Sequence, residues 1–276
     1  MEPPVGITIH VGRRAPRSAD VVVASAAEAA ALRARIARAP LAAAVLVHLL
    51  RATEKLPVMD ALFAESLAYA TLQGGPEYQR WLAAHRAPAP FQPTDEGPPV
   101  VLTRDGAQLT LELNRASNRN AISVEVRDAL VEAFELVLAD RTIRKVVLRG
   151  RGRCFSTGGD LTEFGSVPDP ATGHAIRMQV LPARFLAQCA GRVEVQVHSA
   201  CIGAGIELPA FARRVVAAPD AFFQLPELDF GLIPGAGGTV SIPRRIGRQR
   251  AAWLMLSGRK IGAKQALTWG LVDAVR

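Results

Sequence analysis

Two glutamates set in glycine-flanked loops constrain this chain more than any other feature. The first closes Gly203-Ala204-Gly205-Ile206-Glu207, and the second opens Glu227-Leu228-Asp229-Phe230-Gly231, 20 residues further on. A third loop, Phe155-Ser156-Thr157-Gly158-Gly159-Asp160-Leu161, lies upstream of both. Glycine has no Cβ, so its backbone N–H can approach a ligand closely. Two such loops can supply two converging donors, an oxyanion hole. Two carboxylates beside that hole supply an acid and a base. The combination suits forming and protonating an enolate next to a carbonyl.

The loops fall where an α/β fold would put them. Val100–Leu102 and Leu109–Leu113 read as strands on either side of an Asp105-Gly106 turn, a hairpin signal. Ser123 caps an amphipathic helix through Val126, Leu130, Phe134 and Leu138. Lys145–Leu148 and Val193–Val197 read as buried strands, each leading into a glycine loop, with a helix between them over roughly His174 to Cys189. Val215–Ala218 and Phe222–Phe223 are short strands, and helices start near Gly237 and Arg248. This alternation predicts parallel strands with active groups in the loops at their carboxyl ends. Glu207 falls in the first turn of a helix, where a carboxylate is electrostatically favoured. Apolar Ile206 and Leu208 beside it predict partial burial and a raised pKa.

Residues 1–86 differ in character. They are rich in alanine and helical in pattern. Ser25 with Glu28 forms a capping box for a helix to about Arg38. Pro40 and Pro57 start a second and a third helix, and Gly74-Gly75-Pro76 ends the third and begins a fourth. The apolar residues Leu46, Leu49, Leu50, Leu62, Phe63, Leu67 and Trp81 need a surface to pack on, so these helices are expected to dock on the remainder of the chain. Ala87–Pro99 holds five prolines and reads as a linker. The expected division is 1–96, helical segment and linker, and 97–276, catalytic domain.

Composition limits the function classes. At 49% hydrophobic and 21% charged, the 276 residues are those of a globular protein. The net charge of +8 is compatible with a polyanionic partner. The cluster Arg244, Arg245, Arg248 and Arg250 lacks aromatic interleaving, so it reads as solvated or subunit-facing surface, with no nucleic-acid partner expected. Cys154, Cys189 and Cys201 have neither disulfide nor metal-ligand spacing, which points to a reducing compartment and no metal. Met1-Glu2-Pro3-Pro4 does not begin a signal sequence, and the apolar run Leu41–Leu50 is too short to span a bilayer. A cytoplasmic protein without a membrane partner is expected.

Residues 100–276 resemble the crotonase superfamily, which includes enoyl-CoA hydratases and isomerases. The matching text is Leu113-Asn114-Arg115 with Asn120-Ala121, then Phe155–Leu161, Gly203–Leu208 and Pro226–Thr239. The resemblance implies an α/β fold, a spiral of ββα turns, here preceded by the α-helical segment. It implies an acyl-CoA thioester substrate, no cofactor beyond the CoA of that substrate, and a homo-oligomer, trimer or hexamer. By position it assigns the oxyanion donors to the N–H groups of Gly159 and Ala204, and the acid–base pair to Glu207 and Glu227. Asn120, Ala121, Asp160 and Leu161 fall in segments that surround the CoA moiety in the family. The resemblance also implies a helical region following Trp269–Asp273, whose covering role the N-terminal helices would take over in part. The N-terminal architecture and the wording Gly205–Ala212 resemble the dihydroxyphenylacetyl-CoA dioxygenase branch. Retention of both glutamates implies hydration of a 2,3 double bond. The alternatives are isomerisation, arylacetyl-CoA oxygenation, or acyl-CoA binding without turnover.

Overall fold

The structure, a computed structural model, describes residues 6–12, 16–85 and 92–276. Met1–Pro4 and part of the expected linker, residues 86–91, lie outside the described residues. In chain order the elements are β1 (Ile9–Val11), β2 (Val21–Val23), α1 (Ala26–Ile36), α2 (Pro40–Thr53), α3 (Val58–Gln73) and α4 (Pro76–Ala84). Next come β3 (Val100–Asp105), β4 (Gln108–Leu113), α5 (Val124–Ala139), β5 (Lys145–Gly150), α6 (Pro170–Val180), α7 (Pro182–Cys189), β6 (Val193–Val197), β7 (Ala200–Ile202) and α8 (Ala204–Glu207). The last are β8 (Arg214–Ala217), β9 (Phe222–Gln224), α9 (Gly238–Ile246), α10 (Arg248–Ser257), β10 (Ile261–Gly262), α11 (Ala263–Trp269) and β11 (Ala274–Val275).

The fold is α/β, as the alternation predicts. A six-stranded sheet runs β11-β8-β6-β5-β4-β3, parallel except for the β3–β4 hairpin at Asp105-Gly106. A second sheet runs β10-β9-β7, with β7 and β9 parallel. Strand β6 passes into β7, and β8 into β9, through short corners, so each turn of the chain crosses from one sheet to the other. Isolated bridges Ile122–Gly159 and Ser156–Cys201 extend the second sheet's ladder through the earlier turns. The stacked corners form a spiral, and the glycine loops lie on adjacent turns of it.

Local chemistry accounts for most element ends. Ser25 Oγ accepts from Glu28 N at 3.2 Å, the first half of the expected capping box; Glu28 Oε2 returns one residue further, to Ala24 N at 2.8 Å, instead of to Ser25 N. Ser123 Oγ caps α5 through Val126 N. The helix expected over His174–Cys189 is two helices. Asp169 caps the first through Thr172 N, and Pro182 ends it, because a residue before proline is forced out of helical geometry and Leu181 takes ψ 114.

The N-terminal helices pack on the spiral. One hydrophobic cluster runs from Leu32, Leu46 and Leu62 to Ile242, Leu254 and Leu148, and α2 and α3 contact α9 while α1 and α2 contact α10. Each fully buried leucine contributes about 1.5–3 kcal/mol. Phe63 and Leu67 depart from the expectation: they lie on the outer face of α3, 49% and 44% exposed. The inward face carries Leu62, Glu65, Ser66 and Tyr69 instead. The arginine cluster divides: Arg244 and Arg250 are exposed, as expected of a surface cluster, whereas the side chains of Arg245 and Arg248 turn inward. Arg244 donates to the carbonyls of Val240 and Leu56, and Arg245 to those of Ala210 and Ala212. Arg248 reaches the fully buried Asp20, which Arg51 also contacts at 2.7 Å. Burial would raise the Asp20 carboxyl, but Arg51, Thr8 N and Arg248 hold it below the usual range.

Candidate active site

Parallel pairing turns a 20-residue separation into adjacency. Ile202 of β7 faces Gln224 of β9, and Gly203 N extends the ladder to Gln224 O at 2.9 Å. Both strands then release their loops at the same edge. Gly203 takes φ 51 and opens α8, which carries Glu207 at its end. Glu227 opens a single 3-10 turn closed by Gly231. A Cβ on Gly203 would stand 2.8 Å from Glu227 Oε1 and 3.8 Å from Glu207 Oε1, so the two carboxylates converge on one bare Cα. Gly158 has φ 87, and a Cβ there would stand 2.6 Å from Ile202 O. The upstream loop therefore lies backbone against backbone on the Gly203 loop.

That contact brings the two candidate donors together. Gly158, Gly159, Gly203, Ala204, Glu207 and Glu227 line one cavity of about 400 Å³. Among the described residues neither Gly159 N–H nor Ala204 N–H donates to a protein acceptor. Tyr69 of α3 and Tyr78 of α4 form part of the wall, with Phe164 and Phe230. The ring of Trp81 of α4 lies 4.9 Å from that of Phe230 and 5.9 Å from that of Phe164. The N-terminal helices thus cover one side of the cavity.

The carboxylates differ in how they are held. Glu207 is 2% exposed, and its Oε2 accepts from Ala236 N at 2.7 Å and Gly238 N at 2.9 Å. Among the described residues, Glu227 Oε2 is buried with no hydrogen-bond partner. Burial pushes the Glu227 carboxyl up to about 8, with Glu65 and Asp229 adding repulsion. Burial, then the charges of Glu227 and Glu65, raise Glu207 well above the carboxylate range, against the two amide bonds. Such a cluster cannot carry every charge at neutral pH, and a pair that holds one proton between two carboxylates can act as acid and base.

The remaining candidate residues are placed as follows. Asp160 and Leu161 line the cavity; Asp160 Oδ1 also caps a short turn through Thr162 N at 2.9 Å. Asn120 and Ala121 are buried and are not among the cavity-lining residues. The Asn120 amide accepts from Arg115 N and donates to the carbonyls of Arg151 and Cys154, so it holds the loop beneath the site. Asp229 pairs with Arg35 of α1 at 2.7 Å. His174 meets Ser66 Oγ, and His198 meets Gly152 O.

Sequence reasoning missed Glu65, Tyr69, Tyr78 and Arg177. Arg177 of α6 stacks over the Tyr69 ring at 4.6 Å and donates to Ser66 Oγ and Gln73 Oε1. Glu65 is 1% exposed. One signal was available for it: Glu65 lies three residues after Leu62 and four before Tyr69, on the buried stripe of α3.

A spiral α/β core with converging amides and paired buried glutamates defines the crotonase class of proteins. Residues 104–276 match the family model described as Enoyl-CoA hydratase/isomerase, and the chain belongs to that family. It is 37% identical to the 2,3-dehydroadipyl-CoA hydratase of Escherichia coli strain K12 over 64% of this chain and 68% of that protein. It is 36% identical to the 1,2-epoxyphenylacetyl-CoA isomerase of the same organism, over 59% of this chain and 64% of that protein. Among solved structures, an enoyl-CoA hydratase from Mycobacterium smegmatis superposes with TM-score 0.60 at 31% identity, over 65% of this chain and 70% of that one. The chain therefore spans about two thirds of the length of these curated relatives.

Proposed function

We propose that the protein is an enoyl-CoA hydratase that adds water across the 2,3 double bond of an acyl-CoA thioester. The observation that carries this function is the convergence of Glu207 and the unpartnered Glu227 on Gly203, in the cavity lined by the two free amides. The thioester oxygen accepts from Gly159 N–H and Ala204 N–H, which stabilise the enolate formed as water attacks C3. One such donor is worth roughly 2.7–4 kcal/mol in the transition state. Glu207 takes the proton from water, and Glu227 delivers one to C2. Glu207 is fixed in place by two amides, and Glu227 Oε2 meets no donor among the described residues; burial raises both carboxyls, so the pair shares its protons, and the base and acid roles are assigned to Glu207 and Glu227 by the family resemblance. The CoA moiety enters with the substrate and passes Asp160 and Leu161 at the cavity wall. By the same family assignment the chain assembles as a homo-oligomer.

Mass spectrometry of products from a panel of 2-enoyl-CoA and arylacetyl-CoA esters in H₂¹⁸O tests the proposal. The expected product carries one added water, with ¹⁸O at C3. A product of unchanged mass with a shifted double bond would replace hydration by isomerisation. An oxygen-dependent product would place the chain with the oxygenases, and CoA-ester binding without turnover would make it a binding protein.

A further inference from the structure

Helix α9 begins Gly238-Thr239 after Gly237, with no capping side chain of its own. Its first free amides must find acceptors elsewhere. Two carboxylates from opposite ends of the chain supply them, in alternation. Ala236 N and Gly238 N donate to Glu207 Oε2. Gly237 N donates to Glu65 Oε1 at 2.7 Å, and Thr239 N to Glu65 Oε2 at 2.9 Å. Thr239 Oγ1 adds a third bond to Glu65 at 2.6 Å. Four successive amides are thus shared, two each, between a glutamate of the N-terminal helices and a glutamate of the spiral core. Glu207 Oε1 accepts no protein hydrogen bond among the described residues and lies on the Gly203 side, near Glu227 Oε1.

We propose that Glu65 is a positioning residue for Glu207: by binding the alternate amides of the Gly237–Thr239 turn, it fixes the turn that holds Glu207 Oε2 and so aims Oε1 at the reacting water. The inference rests on the hydratase function for its catalytic part. The shared turn itself is independent of that function. A displacement of the turn by a fraction of an ångström rotates the Glu207 carboxylate away from Glu227, a loss that falls on the chemical step more than on binding. Glu65 also places a third buried carboxylate beside the pair, and its charge contributes to the raised titration of Glu207.

The test is Glu65→Gln in the full chain, read in two ways. Turnover of the preferred enoyl-CoA should fall roughly tenfold or more in kcat, with KM within about twofold. The ¹³C titration of the Glu207 side-chain carboxyl, assigned with Glu207→Gln, should move downward in the variant as the Glu65 charge is removed. A merely structural role lowers Tm and leaves kcat unmoved, whereas loss of the Glu65 charge moves the Glu207 titration under either role. A folded Glu65→Gln protein with wild-type kcat overturns the proposal. If that variant does not fold, Thr239→Val removes one Glu65 bond and keeps the side-chain shape. A severalfold fall in kcat supports the proposal, and an unchanged kcat overturns it. If the wild-type protein turns over none of the esters, the hydratase function fails, and the carboxyl titration still decides whether Glu65 acts on Glu207 through its charge.

Discussion

Among the described residues, Glu227 ends in a buried oxygen that meets no donor, in the wall of the cavity. A carboxyl so placed keeps its proton to about pH 8, whereas an unfolded glutamate loses it near 4.5. Between those values the folded protein binds more protons than the unfolded chain, so this group lowers stability as pH rises. Glu227→Gln removes the penalty. Its Tm should exceed that of the wild type at pH 8, and the difference should close toward pH 4; differential scanning at both values measures it. The same substitution removes the proton that C2 would receive. Glu227→Gln and Glu207→Gln should each lower kcat by about 10²-fold or more, with CoA-ester affinity little changed, as general acid–base effects imply. Steady-state kinetics with a crotonyl-type substrate would contradict the acid–base assignment if either variant matched the wild type.

Helix ends are where distant parts of this chain meet. The N-terminus of α2 begins at Pro40 after Ala39, which offers no cap. Glu77 of α4 supplies one, accepting from Leu41 N at 2.8 Å and Ala42 N at 2.9 Å. Lost caps cost about 0.5–2 kcal/mol. Glu77→Ala should lie at the upper end, because both amides then lose their acceptor in a partly buried place. Denaturant unfolding should show a lower midpoint with little change in slope; an unchanged midpoint would mean that α2 does not depend on α4. Tyr78 follows Glu77 and lines the cavity, so the element that caps α2 also carries part of the site wall. The same device recurs where Glu65 meets the start of α9.

For the whole molecule, the N-terminal helices and the spiral share one apolar cluster, one cavity wall and one set of helix-terminal amides. Residues 97–276 expressed alone would expose the buried faces of α9 and α10 and lose Glu65, Tyr69 and Tyr78. The fragment should aggregate or unfold at lower temperature than the full chain and show no turnover. A soluble fragment of equal Tm and full activity would show that the helices are dispensable. Much of this arrangement is legible in the amino-acid order. The hairpin at Asp105-Gly106, the caps at Ser25 and Ser123 and the glycine loops rest on local rules: alternation, turn chemistry and the absence of a Cβ; the two glutamates were marked by their loops, and the pairing of β7 with β9 brings them together. The break at Pro182 could have been read in the same way, since proline restricts its predecessor, but one helix was expected across it. The role of Glu65 was not legible. Its helical position marks it as buried, but the acceptors that Gly237 and Thr239 need lie more than 170 residues away in the chain. The inward turn of Arg245 and Arg248, and the exposure of Phe63 and Leu67, were decided in the same way. Periodicity states that a helix has two faces; only the packing of one element against another determines which face is buried and which polar group finds its partner there.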